Sequence, residues 1–214
     1  MFRINRKLIS VVSMAVLLTP AVAFAKNGSA DPAHPGDPVA GKSKSLLCQG
    51  CHGEDGNSLT ALVPKLAGQN AGYIAKQVHN FQAGVRKHAI MNDLAVTVND
   101  DDIADIAAYF SGLEKMKGRG SKNIQPGEKL FMDGDASRHI TACVNCHGTN
   151  GKGLEPNPSM IPVIGGQNKD YLRRQLVNFR DGDRSNSPDG VMNGNTKSLT
   201  DAEIESLADY VSGR

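Results

Sequence analysis

The chain has 214 residues, of which 39% are hydrophobic and 21% are charged, with 24 lysines and arginines against 22 aspartates and glutamates. This profile excludes collagen-like, disordered and polytopic membrane proteins, and it fits one or two small soluble domains. Tryptophan is absent and aromatic residues make up 5%, so two cores of ordinary size are poorly supplied with large flat side chains.

The first 25 residues have the pattern of a secretory signal peptide. A basic start that includes Arg3 precedes a mostly apolar stretch at 8–18, and Ala-Phe-Ala at 23–25 has the small-x-small form that signal peptidase reads. We predict cleavage after Ala25, followed by an N-terminal extension at 26–37. An uncleaved anchor is less favoured, because the stretch is short for the roughly 20 apolar residues of a membrane span.

Removal of the signal peptide changes the charge balance. It takes away three positive charges and leaves 21 against 22, a formal charge of −1. The composition therefore gives no reason to expect a nucleic-acid partner.

The remaining chain contains one sequence unit twice. Cys-x-x-Cys-His-Gly, Pro-x-x-x-Gly-Gln and Tyr-x-x-x-Gln-x-x-x-Phe-x-x-Gly-x-Arg each occur in the same order in both copies, at 48–53 and 143–148, 64–69 and 162–167, and 73–86 and 171–184. Two copies predict two tandem domains, because a repeat solenoid needs three or more units.

Each copy is predicted to contain three helices. The first begins at Pro38, directly after an N-cap residue, and ends near Gln49, ahead of the cysteine pair. The middle helix follows Asn70 in one copy and Asn168 in the other, with Tyr, Gln and Phe at four-residue spacing.

The last helix of each copy has the strongest signal. Thr200 and Glu203 form a capping box ahead of an apolar helical pattern, and Asn99 is the counterpart in the first copy. Strand signals are weak throughout, so the predicted fold is all-α. The predicted division of the chain is a signal peptide at 1–25, an extension at 26–37, a first domain at 38–112, a linker at 113–125 and a second domain at 126–214.

Cys-x-x-Cys-His is the attachment pattern of c-type haem. Two thiols add across the two vinyl groups, and the following histidine is placed to bind the iron. Two such motifs in an exported chain favour haem over local disulfides, a four-thiolate zinc site or a thioredoxin-like dithiol. We therefore expect two covalently attached haem c groups, on Cys48, Cys51 and His52 and on Cys143, Cys146 and His147.

The sixth iron ligand is predicted from the repeat. Of the methionines after the signal peptide, only Met91 and Met192 occupy equivalent positions in the two copies. We expect each to ligate one iron, which raises the reduction potential relative to two histidines. The alternatives are that these methionines fill gaps in the core, and that His88 ligates the first iron in place of Met91.

Several repeated residues are candidates for supporting contacts. A ligating imidazole usually donates its second N–H to an acceptor, and the Pro64 and Pro162 carbonyls follow each motif at the right point. The candidates for contacts with the haem propionates are Gln69, Gln167, Tyr73, Tyr171, Arg86 and Arg184. The alternatives for single residues are core packing of the tyrosines and solvent exposure of the arginines.

This set of motifs, together with a lone Met and a terminal Tyr-bearing helix in each copy, resembles the dihaem cytochrome c4 family over nearly all of residues 38–214. The resemblance implies two small helical domains of the cytochrome c type, each wrapped around one haem, with the two haems close together and each iron held by His and Met. The segment at 186–195 departs from the family pattern, because Pro188, Asp189 and Gly190 precede the second methionine.

The resemblance also implies a function. We expect an electron-transfer protein, not an enzyme, that is exported by a Sec-type pathway to the periplasm. Its expected donor is a quinol-oxidising complex and its expected acceptor a terminal oxidase, with peripheral membrane association or permanent docking to a membrane complex left open. The alternative is a dihaem enzyme, a peroxidase or a thiosulfate-oxidising protein, which needs an open or unusual axial position.

Overall fold

The structure is a computed structural model that describes residues 36–120, 125–154 and 160–214. The predicted signal peptide at 1–25 and the extension up to residue 35 lie outside the described residues. Within the described ranges the chain is helical, and its only β-type pairing is a single bridge between Asp135 and Ile140. The prediction of an all-α fold is confirmed. No helix in these ranges has the length and apolarity needed to cross a membrane.

The first half, residues 36–112, contains five helices. They are α1 Pro38–Lys44, α2 Leu46–His52, α3 Ala71–Gln82, α4 Ala89–Ala95 and α5 Asp100–Gly112. The predicted single helix up to Gln49 is instead two helices that meet at Ser45. At this point the Lys42 carbonyl accepts from two side chains, the Ser45 hydroxyl and the Gln49 amide, which compete with the regular helical bond to it. The second of these helices carries both cysteines and His52.

The second half, residues 125–214, repeats this order. Its helices are α6 Gln125–Asp133, α7 Val144–His147, α8 Lys169–Asp181, α9 Val191–Thr196 and α10 Asp201–Ser212, with 3₁₀ turns at Ala136–Arg138 and Pro188–Gly190. The capping box of Thr200 and Glu203 and the N-cap of Asn99 are confirmed. The short helices α4 and α9, which carry the two predicted methionine ligands, were not predicted.

The first and last helices of each half cross in close contact. At the α1–α5 crossing, a Cβ on Gly41 would lie 2.0 Å from the Asp105 carbonyl oxygen. At the α6–α10 crossing, a Cβ on Gly127 would lie 2.1 Å from the Ser206 carbonyl oxygen. The backbones can approach this closely because glycine has no side chain. Around each crossing lies an apolar core, with Ile103 and Phe110 in the first half and Phe131 and Ile204 in the second.

Gly41→Ala is expected to destabilise the protein by about 1–3 kcal/mol, because the added methyl group has no space at the crossing. The free energy of unfolding in urea, followed by circular dichroism, measures the effect. Gly112→Ala is the control, since nothing lies within 4 Å of its added Cβ. Equal unfolding midpoints for Gly41→Ala and the unmodified protein would contradict the close crossing.

The predicted linker packs between the halves at Met116, while most of its other described residues are exposed. Met116 is 1% exposed and contacts Ala67 and Val163, one residue from each half. The Lys152 ammonium donates to the Met116 and Gly165 carbonyls, and the Lys65 ammonium donates to the Gly166 carbonyl. Lys152 thus ties the linker backbone to the second half, and Lys65 joins the first half directly to the second. Residues 121–124 of the linker lie outside the described residues.

Candidate functional site

Each cysteine pair lies on a single helical turn, directly before the histidine of its motif. Cys48 and Cys51 are one turn apart on α2, and Cys143 and Cys146 have the same spacing at α7. All four thiols are free, and in each pair the first is half-buried and the second exposed. Burial raises the pKa of Cys48, and it raises the pKa of Cys143 to about 11. Because the two cysteines of each pair are three residues apart, their thiols lie on one side of the helical turn. No disulfide joins them.

The histidine after each pair is buried and oriented by a backbone carbonyl. Nδ1 of His52 lies 2.8 Å from the Pro64 carbonyl oxygen, and Nδ1 of His147 lies 3.0 Å from that of Pro162. Burial lowers the pKa of both imidazoles, although the proline carbonyls act in the opposite direction. A neutral imidazole that donates from Nδ1 keeps Nε2 available for a metal.

Both halves line one continuous cavity of about 530 Å³. The four cysteines, both histidines, Met91 and Met192 all contribute to its lining. Many of the remaining lining side chains are aliphatic or aromatic, such as Phe81, Ile106 and Phe179. The structure thus brings the predicted thiols, imidazoles and thioethers to one apolar space. In the described ranges no group of three or more His, Cys, Asp and Glu side chains is arranged to hold a metal ion.

The methionines lie near the start of the short helices α4 and α9. His88 is the N-cap of α4, and its Nδ1 accepts from the Met91 amide at 3.4 Å. The Ser187 hydroxyl accepts from the Met192 amide at 3.2 Å. The predicted competitor His88 therefore lies in the turn that leads to Met91, and in the second half a serine hydroxyl accepts from the methionine amide instead.

An asparagine follows each methionine and ties its helix to the rest of the half. The Asn92 amide donates to the carbonyls of Phe81 and Arg86, and the Asn193 amide donates to those of Phe179 and Arg184. Sequence reasoning missed both asparagines. The available signal was the Met-Asn pair, which occurs at the same place in each copy.

The predicted tyrosines and arginines meet across the two halves. Arg86 donates to the Tyr171 hydroxyl at 2.9 Å, and Arg184 donates to the Tyr73 hydroxyl at 2.9 Å. Both guanidinium groups also donate to the side-chain oxygens of two glutamines from the repeat, Gln77 and Gln175. We call these six residues the arginine cluster. It joins the halves by hydrogen bonds that are related by an approximate twofold symmetry.

The arginine cluster is rich in positive charge. Burial raises the pKa of Tyr73, but the charges of Arg184 and Arg86 outweigh it, and the net pKa is lowered. Lys76 lies nearby and has a lowered pKa because of burial and the same two arginines. Arg86, Arg184 and Lys76 have no carboxylate partner among the described residues. The buried Nε2 of Gln77 has no hydrogen-bond partner among them either. The cluster therefore offers unused donors and positive charge to an anionic group.

The predicted Gln69 and Gln167 lie in a separate contact between the halves. Both are 4% exposed. The Gln69 amide group exchanges two hydrogen bonds with the Val163 backbone, at 2.7 and 2.8 Å, and the Gln167 amide group does the same with the Lys65 backbone, at 2.8 and 2.9 Å. Their side chains bind backbone of the opposite half, which no signal within one repeat could have indicated.

This donor set fits two haem c groups. Each half supplies two thiols, one imidazole oriented by a carbonyl and one thioether to an apolar cavity. The cations of the arginine cluster match the carboxylates that a haem carries as propionates.

Comparison with known proteins first defines the class. The model of the Cytochrome c family matches the chain twice, at residues 40–114 and 124–213. Each match contains one complete Cys-x-x-Cys-His motif and one of the two predicted methionine ligands. The chain is thus a c-type cytochrome with two haem domains.

Its relatives identify the family within that class. Cytochrome c4 of Pseudomonas aeruginosa is 37% identical over 180 residues, which are 83% of this chain and 89% of that protein. The crystal structure of reduced recombinant cytochrome c4 from Pseudomonas stutzeri matches with a TM-score of 0.78 at 37% identity, over 83% of this chain and 98% of that one. A thiosulfate dehydrogenase electron acceptor of Stutzerimonas stutzeri is 32% identical over 171 residues, which are 78% of each chain. The chain belongs to the cytochrome c4 family.

Membership confirms the predicted family, the fold of two cytochrome c domains and the two haem c groups. The chain is a dihaem electron-transfer cytochrome, and its partners are redox proteins.

Proposed function

We propose that this cytochrome is a periplasmic carrier that takes electrons from a quinol-oxidising complex and delivers them toward a terminal oxidase. When bound, each haem iron takes up and releases one electron, while the protein sets its potential and excludes solvent. The proposed attachment residues are Cys48, Cys51, Cys143 and Cys146, and the proposed axial ligands are His52 and Met91 for the first iron and His147 and Met192 for the second.

One observation carries this proposal: two equivalent donor sets line one cavity. A carrier needs irons that keep both axial ligands through the redox cycle, because ligand exchange would add reorganisation to each transfer. Each half offers an imidazole and a thioether, so neither iron needs an open position. The equivalence of the halves supports the same chemistry at both irons.

The arginine cluster supports a position for the propionates between the halves. Arg184 is buried there and Arg86 is half-buried, and guanidinium binds carboxylate with two parallel hydrogen bonds. Propionates held in this cluster bring the two haems close together at the contact between the halves. We therefore propose that electrons pass between the haems inside one molecule faster than between molecules.

The visible spectrum of the exported protein tests the proposal. We expect two low-spin haems per chain, the weak red absorption band of methionine bound to ferric haem at an intensity for two irons, and no reaction with hydrogen peroxide. Met192→Ala is the reference, because it opens one iron and should produce a high-spin signal. A high-spin fraction or rapid peroxide turnover in the unmodified protein would mean that one iron is open and that the chain is an enzyme.

A second candidate donor comes from the relatives. The name of the Stutzerimonas stutzeri relative states that it accepts electrons from thiosulfate dehydrogenase. If this chain has the same donor, a purified thiosulfate dehydrogenase with thiosulfate should reduce it in stopped-flow mixing, whereas thiosulfate alone should not. Reduction by thiosulfate alone would instead support the thiosulfate-oxidising enzyme.

A further inference from the structure

The loop that orients each histidine is held by the opposite half. Pro64, whose carbonyl faces His52, lies between two residues bound by the second half. The Gln167 side chain accepts from the Lys65 amide at 2.8 Å and donates to the Lys65 carbonyl at 2.9 Å. On the other side of the proline, the Asn168 amide donates to the Val63 carbonyl at 2.8 Å.

The reverse contact has the same form. Pro162, whose carbonyl faces His147, lies between two residues bound by the first half. The Gln69 side chain donates to the Val163 carbonyl at 2.7 Å and accepts from the Val163 amide at 2.8 Å. On the other side of the proline, the Asn70 amide donates to the Ile161 carbonyl.

These contacts explain a detail of the helices α3 and α8. Asn70 and Asn168 have the N-cap positions predicted for them, but neither side chain accepts a hydrogen bond from its own helix. Both amides instead donate to the loop of the opposite half that contains its proline, residues 161–163 for Asn70 and 63–65 for Asn168. We call these segments the proline loops. The usual capping bond is therefore given up for a contact between the halves.

We propose that Gln69 and Asn70 position His147 through Pro162, and that Gln167 and Asn168 position His52 through Pro64, so that each half orients the iron-ligating histidine of the other. This inference rests on the proposed axial ligation. A hydrogen bond from Nδ1 fixes the ring and makes the imidazole a more basic ligand, which stabilises ferric iron. Loosening a proline loop should therefore raise the potential of the haem in the half that contains the loop.

A crossed effect is the test. Gln69→Leu, made in the first half, should raise the potential of the second haem and speed solvent exchange of the His147 Nδ1 proton by about tenfold, because the loop opens more often. Gln167→Leu should do the same to the first haem and His52. Spectroelectrochemical titration measures the two potentials. Met91→His and Met192→His each lower the potential of one haem, so they show which potential belongs to which haem. NMR of the reduced protein measures the proton exchange.

Gln82→Leu is the matched control. Its amide also donates to two backbone carbonyls, those of Ala95 and Val98, but both belong to its own half. Any change it causes should stay with the first haem. If Gln69→Leu does not accumulate, Gln69→Met removes both hydrogen bonds to Val163 while keeping the length of the side chain and adding no charge, and the same shift at the second haem is expected.

The proposal is overturned if Gln69→Leu shifts only the first haem, shifts both haems equally, or shifts neither. Its failure is distinct from failure of the proposed function. A protein with two low-spin, methionine-ligated haems and no crossed shift contradicts only the positioning role, whereas an unmodified protein without such haems contradicts the axial ligation itself.

Discussion

Chain that carries no haem is expected to be largely unfolded. With all four cysteines replaced by alanine, we expect more than about half of the helical circular dichroism to be lost, because each small half buries too little apolar surface by itself. The cavity of about 530 Å³ lies against both apolar cores, and Phe110 and Phe131 belong to a core and also line the cavity. Without haem these side chains face open space instead of a packed group.

Replacing only one cysteine pair tests whether each half depends on its own haem. With only Cys143 and Cys146 changed, the second half should lose its structure, while the first keeps its haem and part of its helical signal. Urea unfolding of this variant should be less cooperative than that of the unmodified protein. A haem-free chain that melts cooperatively with native-like helicity would contradict the role of haem as the main part of each core.

Met91→His is expected to lower the potential of one haem and leave the other nearly unchanged. Thioether ligation favours ferrous iron and imidazole ligation favours ferric iron, and axial ligands set haem potentials over a range of roughly 0.8 V. We expect a fall of more than about 0.1 V, measured by spectroelectrochemical titration. The red absorption band of methionine-ligated ferric haem should fall to half its intensity.

Met132→Leu is the control for this substitution. Met132 is a partly buried methionine that packs against the core of the second half. Its replacement keeps the volume and leaves both proposed axial ligands in place, so both potentials should stay within experimental error. If Met91→His leaves both potentials and the red band unchanged, Met91 is not a ligand, and His88 becomes the candidate for the first iron.

Local sequence patterns were enough to predict much of this molecule. The Cys-x-x-Cys-His motifs, the repeat that relates Met91 to Met192, and the capping box at Thr200 each depend on residues close together in the chain. Their physical basis is short-range, since a cap or a vinyl-bridging pair of thiols needs a fixed spacing and little else. The exact domain boundaries and the ligand roles of individual residues stay predictions.

Local sequence patterns gave wrong or missing predictions where a side chain makes a contact that the pattern does not encode. Ser45 divides a helix that was predicted as continuous, and at the break the Lys42 carbonyl accepts from two side chains, the Ser45 hydroxyl and the Gln49 amide. Asn70 has the position of an N-cap but binds the opposite half. The short helices α4 and α9 have too few residues for a periodic signal, and they are held by contacts such as the Asn92 amide to the end of α3.

The sequence by itself thus determined the haem attachment motifs, the duplication and the class of fold. Only the tertiary structure decided how the halves meet, with Arg86 bound to Tyr171 and Gln69 bound to the backbone of Val163. The reason is the distance along the chain: these partners lie 85 and 94 residues apart, and a hydrogen bond between them depends on how two folded units dock rather than on any local spacing.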